Sequence, residues 1–146
     1  MKIIDIKIIN PDTNALVSVE DWRKEADPTR AEWIVITTDE LKPFKLHKKL
    51  AAYGKALSFK DALEAGNTLT RAQGLALYNA KYNGLREALE LIDGDPIRGW
   101  VWTCEAVDDP QYNAAYAWLV TLDYGYVGDN TKTNGFQVRL VSAFNS

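Results

Sequence analysis

Alternating apolar and polar residues predict strands near both ends of the chain. The segment "KIIDIKII" alternates over eight positions and is closed by the turn-forming run "NPDTN". Along the last apolar segment, Phe136, Val138, Leu140 and Phe144 fall on one face. Further strands are predicted from the same pattern at "EWIVITT", "WVWTCEA", "AYAWLVTLDYGYV" and "GFQVRLVSAF".

Helical spacing dominates the middle of the chain. Short helices are predicted in "SVEDWRKEA" and "SFKDALEAG", because each opens with a serine that has an aspartate three residues later, and Gly66 ends the second. A longer helix begins at Thr70, which forms a capping box with Gln73, and Asn83-Gly84 is expected to kink it. Its buried face is predicted from residues three and four apart, namely Leu75, Tyr78, Tyr82, Leu85, Leu89 and Ile92.

Helices between terminal strands predict an α+β fold in which the terminal strands pair, formed as a single domain over residues 1–146. Hydrophobic content of 47% and charged content of 25% are ordinary for a globular protein. The apolar runs are too short to span a bilayer, so membrane insertion is not expected. The N-terminus lacks the features of a signal peptide, and one cysteine forms no internal disulfide, so synthesis in the cytoplasm is expected.

Charge is uneven along the chain, which is net acidic at -3. Six lysines surround the single histidine, His47, and are interpreted as a solvated face. The overall acidity argues against nucleic acid as a partner. These lysines are Lys42, Lys45, Lys48, Lys49, Lys55 and Lys60.

Cys104 is the obvious candidate nucleophile, because a thiol is the most reactive side chain in the sequence. A catalytic thiolate needs a nearby base, and only His47 is present to supply one, from a distant segment. Cys104 and His47 also lack further soft ligands at the spacing of a metal site. Cys104 is therefore interpreted as a small, half-buried strand residue, and neither catalytic residues nor a cofactor or metal are assigned.

Calcium is a separate possibility, since acidic and amide side chains supply hard oxygen ligands. Turns require the same residue types, so these positions do not by themselves predict a site. They are Asp108, Asp109, Asp123, Asp129 and Asn130.

Residues 56 to 145 resemble the C-type-lectin-like domains common in gut Bacteroidetes and their phages. The stretch "LTRAQGLALYNAKYNGLREALELIDGDPIRGWVWTCEA" is similar to that family's helix and the strand after it, and "AWLVTLDYGYVGDNTKTNGFQVRLVSAF" aligns with its closing region without gaps. Residues in register are Trp102, Glu105, Trp118, Gly125, Lys132, Val138 and Arg139. Two departures are the missing proline after Leu69 and Cys104 in place of serine; residues 1–55 match less clearly.

The resemblance implies two helices packed on a twisted antiparallel sheet with paired terminal strands, and a function in recognition. Calcium-dependent members carry Glu-Pro-Asn or Gln-Pro-Asp signatures, which this chain lacks. Formylglycine-generating enzymes share the broad fold, but their chemistry uses paired cysteines, and this chain has one. The enzyme interpretation therefore ranks third.

A binding face is predicted within residues 106–136, where tyrosine, asparagine and aspartate are frequent, as in antibody paratopes. A turn at Asp123–Gly125 is expected to expose two tyrosines on one side, beside a loop at 128–134. Ordinary strand tyrosines and turn asparagines are the alternative interpretation. The candidate ligand-binding residues are Tyr112, Asn113, Tyr116, Tyr124, Tyr126, Asp129, Asn130, Thr131, Thr133 and Asn134.

Some members of the family are variable proteins of diversity-generating retroelements, in which adenines of Asn codons are randomised. Several residues at family Asn positions are reachable from AAC by adenine changes alone: Thr121, Tyr126, Gly128, Asp129, Asn130 and Thr131. The resemblance thus implies a phage or prophage virion protein that binds a surface carbohydrate or protein receptor, as a homo-oligomer or part of a virion assembly. The alternative is an intracellular protein-binding module.

Overall fold

Two antiparallel sheets form the framework of the computed structural model, which describes residues 3–109, 111 and 113–144. The larger has five strands in the order β2-β1-β3-β4-β8, and the smaller has three in the order β5-β6-β7. The mixed α+β class is confirmed. The strands are β1 Ile4–Ile9, β2 Leu16–Ser18, β3 Trp33–Thr38, β4 Phe44–Leu50, β5 Trp100–Ala106, β6 Tyr116–Thr121, β7 Tyr126–Thr131 and β8 Arg139–Ala143.

The helices begin where the sequence places their caps. Ser18 Oγ accepts the N–H of Asp21 before α1 (Val19–Trp22), and Ser58 Oγ accepts the N–H of Asp61 before α2 (Phe59–Ala65). Thr70 and Gln73 form the reciprocal capping box before α3 (Arg71–Ala80). After a π-helical turn at Lys81–Leu85, the helix continues as α4 (Arg86–Leu91). Each helix begins at the residue after its cap, because the capping side chain accepts a backbone N–H that has no partner within the helix.

The expected kink is present, but the predicted buried face is only half right. Tyr82, Asn83 and Gly84 have non-helical backbone angles, Tyr82 is exposed, and Tyr78 is only partly buried. In a regular α-helix, side chains seven residues apart lie on the same face. A π-helical turn inserts one extra residue, so across it the spacing becomes eight. Buried positions are accordingly eight residues apart across the turn, with Leu77 matched by Leu85 and Ala80 matched by Ala88.

The prediction that the terminal strands pair is wrong for the whole chain. β1 pairs with β2 and β3, and β8 pairs with β4, so two strands separate β1 from β8. The neighbour of β8 is the lysine-rich segment that had been interpreted as a solvated face. Within it Phe44 and Leu46 are buried while the intervening Lys45 is only partly covered, which is the alternation of a half-buried strand.

Two clusters of buried side chains lie against the sheets. The first extends from Ile6 to Val141 and joins the large sheet to α3, α4 and one face of the small sheet. The second centres on Trp102, whose ring meets Phe59 and Phe136 edge-on and whose Nε1–H donates to Leu57 O over 2.7 Å. Trp102 is fully buried. Trp118 is only partly buried, and the Arg71 guanidinium lies 4.7 Å from its ring centre.

Residues 136–138 connect the two sheets. Trp102 N–H donates to Gln137 O, and Ala51 N–H donates to Val138 O. The edge of the small sheet formed by β5 is therefore fixed against the same segment that leads into β8. None of the helices in the described residues is long and apolar enough to cross a membrane.

Candidate functional site

The turn between β6 and β7 presents two exposed tyrosines, as the sequence predicts. Tyr124 is 67% exposed and Tyr126 is 65% exposed. Their rings are nearly parallel, 19° apart, with centres separated by 6.1 Å. Large exposed side chains usually sample several rotamers, and mutual stacking restricts them. The pair therefore offers a continuous aromatic area at low entropic cost to a ligand.

Backbone contacts hold this turn in place. Gly125 N–H donates to Thr121 O over 2.9 Å, which closes the four-residue connection. Gly125 has φ of +74°, and a Cβ there would lie 2.6 Å from Tyr78 Cδ2 of α3. The glycine therefore permits both the left-handed backbone and the close approach of the turn to the helix.

Asp123 joins the turn to two other segments. Its carboxylate accepts the N–H of Gly99, just before β5, over 3.1 Å and lies 3.8 Å from Lys81 Nζ in the π turn. Lys81 also donates to Leu122 O. Asp123, one of the acidic residues considered as calcium ligands, thus accepts a hydrogen bond that holds the turn in place.

Trp100 adds to the exposed aromatic area, although it is not among the binding residues predicted from the sequence. It pairs with Thr121, which pairs with Tyr126, so the three side chains share one face of the small sheet. Trp100 is 42% exposed, and its ring covers Gly128, where a Cβ would lie 3.1 Å away. Alternation along β5 places Trp100 on the same face as the buried Trp102, so the pattern of residues does not indicate that Trp100 is exposed. We call Trp100, Tyr124 and Tyr126 the aromatic surface.

Tyr116, Asn130 and Thr131 lie at the opposite end of β7, and Thr133 and Asn134 follow it, so the expectation that they share one surface with Tyr124 and Tyr126 is wrong. Residues 128–131 are strand rather than loop, and Tyr116 pairs with Thr131. The two ends of β7 are about 17 Å apart at the usual rise of an antiparallel strand. Continuous pairing from Tyr116 to Thr121 also puts Tyr116 and Tyr126 on opposite faces. Tyr116 therefore does not join the aromatic surface.

A polar network occupies that opposite end. Asn130 Oδ1 accepts the N–H and the hydroxyl of Thr131 and the amide of Asn134, whose own N–H donates to Thr131 O. Thr133 and Asn134 are exposed, as is Asp129 farther along β7. Because Asn130 is satisfied by its neighbours, this end is better described as a self-bonded turn than as a prepared ligand site.

Two predicted residues lie before β6. Tyr112 lies outside the described residues, and Asn113 begins a short 3-10 helix, Asn113–Ala115. Among the positions reachable by adenine changes, Thr121 is buried, with 1% exposed, so it cannot contact a ligand directly.

Cys104 lies on the exposed side of β5 rather than half-buried, and its surroundings disfavour thiolate. Partial burial of the sulfur raises the pKa of the Cys104 thiol, and the neighbouring Glu105 carboxylate raises it further. Glu105 itself accepts the N–H of Arg71 over 2.6 Å and its Nε over 3.2 Å, at the start of α3. His47 lies in the other sheet, where its Nδ1 accepts the N–H of Lys49 and its ring meets Trp33 edge-on. This arrangement does not resemble an activated cysteine.

A pocket of about 320 Å³ lies beside the aromatic surface. It is enclosed by α3, the start of β1, the turn after β3 and Gly125 of the β6–β7 turn. Its volume is at the lower limit of ordinary small-molecule sites. From the β6–β7 turn Gly125 lines the pocket, whereas Trp100, Tyr124 and Tyr126 do not.

Compared with models of protein families and with curated protein sequences, the chain matches no family model and no curated protein.

Proposed function

We propose that this chain is a C-type-lectin-like recognition module of a phage or prophage virion, and that it binds a carbohydrate or protein receptor on a host or mucosal surface. The observation that carries the proposal is the stacked, exposed pair Tyr124 and Tyr126 on a turn fixed by backbone hydrogen bonds. Exposed aromatic side chains on a rigid support are the usual centres of binding surfaces.

The arrangement of residues 44–144 supports the family assignment. Within this part of the chain the first strand, β4, pairs with the last, β8, and two helical segments and a three-stranded sheet lie between them. Two helical segments packed with antiparallel strands agree with the expectation from the resemblance in general terms. The resemblance itself begins at residue 56, after β4, and β1, β2, α1 and β3 extend the sheet on the far side of β4.

The proposed ligand site contains fewer residues than the one expected from the sequence. It consists of the aromatic surface and excludes Tyr116, which lies on the other face and at the other end of the sheet. A virion would display many copies of such a site, and repetition would raise the avidity of a weak individual contact.

Substitution of the tyrosines tests the proposal. Tyr124→Ala and Tyr126→Ala should each leave the free energy of unfolding within about 1 kcal/mol of wild type, as expected for surface positions. Binding should weaken by about 2 kcal/mol or more, as expected for aromatic hot spots. Binding is measured with multimers of the chain on carbohydrate arrays and on intact gut bacteria, and stability by urea unfolding.

Tyr53→Ala is the matched control, because Tyr53 is fully exposed in a different region, after β4. It should change neither quantity. A large loss of stability in the Tyr124 and Tyr126 variants without a specific loss of binding would refute the proposed site. Retention of a cytosolic protein, with no binding to cells or carbohydrates, would instead favour the intracellular protein-binding module.

A further inference from the structure

The outer edge of β7 presents backbone groups that no described residue pairs with. Trp118 O accepts the hydroxyl of Thr103 in β5, so the backbone groups of Trp118 face β5 rather than β7. Trp118 lies opposite Asp129, and backbone groups alternate in direction along an antiparallel strand. The N–H and C=O of Asp129 therefore point away from β6, and those of Val127, two residues earlier, point the same way. Within the described part of the chain, neither residue bonds to a further segment on that side.

The edges of the other strands are covered or short. On β5, the N–H of Trp102 donates to Gln137 O, and on β8, the N–H of Val141 donates to Asn67 O. The edge strand β2 has only three residues. Proteins commonly protect strand edges in these ways, because unpaired backbone groups form hydrogen bonds readily with another chain. Among the strands described, β7 thus provides the long edge that stays open.

The spacing of the open groups matches an extended polypeptide. Val127 and Asp129 are about 6.8 Å apart along the strand, and each offers one donor and one acceptor in the same direction. A second extended polypeptide repeats its own donors and acceptors at this spacing. Val127 is also 39% exposed, so an added strand would cover apolar area. The open stretch ends at Thr131, whose N–H and C=O are bonded to the side chain of Asn130 and the N–H of Asn134.

The aromatic surface lies beside this edge. Residues directly opposite each other in neighbouring strands have their side chains on the same face of the sheet. A residue added opposite Gly128 would therefore place its side chain against Trp100, whose ring covers Gly128. A residue added opposite Tyr126 would contact the tyrosine ring. Alternate side chains of an added strand would thus meet the aromatic surface while its backbone pairs with the open groups.

A second copy of this chain fits the edge poorly. Antiparallel self-pairing about a two-fold axis through Asp129 would put like charges directly opposite, and an axis through Gly128 would put them about 7–8 Å apart across a diagonal. An axis through Val127 would place Asp129 opposite Gly125, which belongs to the β6–β7 turn, so only the Val127 pair would form. A foreign strand with a positive charge opposite Asp129 avoids all three costs.

We infer that an extended segment of a protein partner adds to β7 as an antiparallel fourth strand of the small sheet, with a lysine or arginine opposite Asp129. The inference rests on the proposed recognition function and deepens it, because it selects a protein over a carbohydrate as receptor. In this mode of recognition, main-chain hydrogen bonds supply affinity, and contacts of alternate side chains with the aromatic surface supply specificity.

A set of blocked pentapeptides tests the inference without knowledge of the receptor. The parent peptide, acetyl-Thr-Lys-Leu-Val-Thr-amide, would place its lysine opposite Asp129, its leucine opposite Gly128 and its valine opposite Val127. N-methylation of the valine removes a hydrogen bond to β7 and should weaken binding by about tenfold or more. N-methylation of the leucine is the matched control, because that N–H points away from β7, and it should have little effect.

Binding is followed by two-dimensional amide NMR of the intact chain. In the free chain, the amides of Val127 and Asp129 should exchange with solvent faster than those of Gly128 and Asn130, because only the latter two are bonded to β6. The parent peptide should slow the exchange of Val127 and Asp129. It should also shift signals from residues 126–131 and the indole signal of Trp100.

Reversal of the charge at the edge tests the pairing of the strands. Asp129→Lys should weaken binding of the parent peptide by about fivefold, as expected for a cross-strand charge pair. The same variant should bind more tightly to the peptide with glutamate in place of lysine. Glu20→Lys is the matched control, because Glu20 is exposed on α1 beside the other sheet, and it should change neither affinity.

Each outcome decides the inference. No binding at millimolar peptide, equal effects of the two methyl groups, a larger effect of the leucine methyl group, or insensitivity to Asp129→Lys would overturn it. Slow exchange of the Val127 and Asp129 amides in the free chain that becomes fast on dilution would show that a second copy occupies the edge, and would overturn it as well.

Failure of this inference and failure of the proposed function are distinguishable. If the peptides bind as expected but multimers of the chain bind neither cells nor arrays, the proposed function fails and the added-strand site stands. If Tyr124→Ala abolishes binding to a carbohydrate and the peptides do not bind, the proposed function stands and this inference fails.

Discussion

Arg139 is fully buried, the only charged side chain of the described residues in the core. Its Nη1 donates to Asp95 O over 3.0 Å, and its Nη2 donates to the carbonyl oxygens of His47 and Lys48 over 3.3 Å. Pairing of β4 with β8 is interrupted between Leu46 and Leu50. In this gap the Arg139 guanidinium donates hydrogen bonds to β4 carbonyl oxygens in place of backbone N–H groups of β8. Within the described part of the chain, its Nε has no hydrogen-bond partner.

Burial lowers the pKa of Arg139 to about 10, while the Asp95 carboxylate opposes the shift. The side chain therefore stays charged at neutral pH and is held by carbonyl oxygens rather than by a direct ion pair. Its cost of desolvation is offset only while all of these acceptors remain in place.

We expect Arg139→Met to lower the free energy of unfolding by about 3 kcal/mol, because the partly buried carbonyl oxygens of Asp95, His47 and Lys48 each lose a donor, and only Lys48 O keeps another, the N–H of Asp95. Arg86→Met is the control, since Arg86 is exposed and pairs only with Glu90 one helical turn away. It should cost about 0.5 kcal/mol or less. Urea unfolding measures both, and equal effects would show that the buried hydrogen bonds contribute little.

Cys104 should behave as an unreactive thiol. Because partial burial and Glu105 raise its pKa, less thiolate is present at a given pH than in the unfolded chain. Alkylation by iodoacetamide should therefore be slower in the folded protein, with a pH midpoint above that of the chain in urea. Cys104→Ser should change stability by about 1 kcal/mol or less. A midpoint below that of the unfolded chain would revive the catalytic interpretation.

At the scale of elements, the β6–β7 turn depends on the packing of Gly125 against Tyr78. Gly125 and Gly99 have similar left-handed angles, +74° and +77°, but a Cβ at Gly99 would meet nothing within 4 Å. Alanine at either position incurs the same backbone strain, about 1 kcal/mol. Gly125→Ala should cost about 1–3 kcal/mol more, because its Cβ overlaps the Tyr78 ring.

Thermal and urea unfolding of the two glycine variants give this difference directly. If Gly125→Ala is no more destabilising than Gly99→Ala, then the turn can move away from α3. The stacked tyrosines would then not be held as rigidly as the proposed function requires.

At the scale of the whole molecule, the N-terminal strands complete the core of residues 43–144. Ile8, Ile34 and Ile36 of β1 and β3 lie in the same cluster as Leu77 and Leu85 of the helical segments. Without these strands, β4 would become an exposed edge and the apolar side of the helices would face water.

A fragment of residues 43–146 should therefore fail to fold cooperatively. We expect a gradual thermal transition by circular dichroism and poorly dispersed amide NMR signals, in contrast to the full chain. A sharp, reversible transition of the fragment would show that residues 1–42 are an independent addition.

Much of the local structure follows from the sequence. Ser18, Ser58 and the pair Thr70 and Gln73 mark the helix starts, because a cap is an interaction between residues two or three apart. The alternation of apolar and polar residues predicted strands β1, β3 and β5. Gly125 indicated the turn that exposes Tyr124 and Tyr126. Each of these features depends on neighbours along the chain.

Only the tertiary structure decided which elements meet. Pairing of β4 rather than β1 with β8 results from contacts nearly a hundred residues apart, and local periodicity carries no information about them. The π turn shifted the buried face of the long helix by one residue, which separated Tyr78 and Tyr82 from the core. The exposure of Trp100 and the separation of Tyr116 from Tyr126 depend likewise on sheet edges and register, which only the packed fold defines.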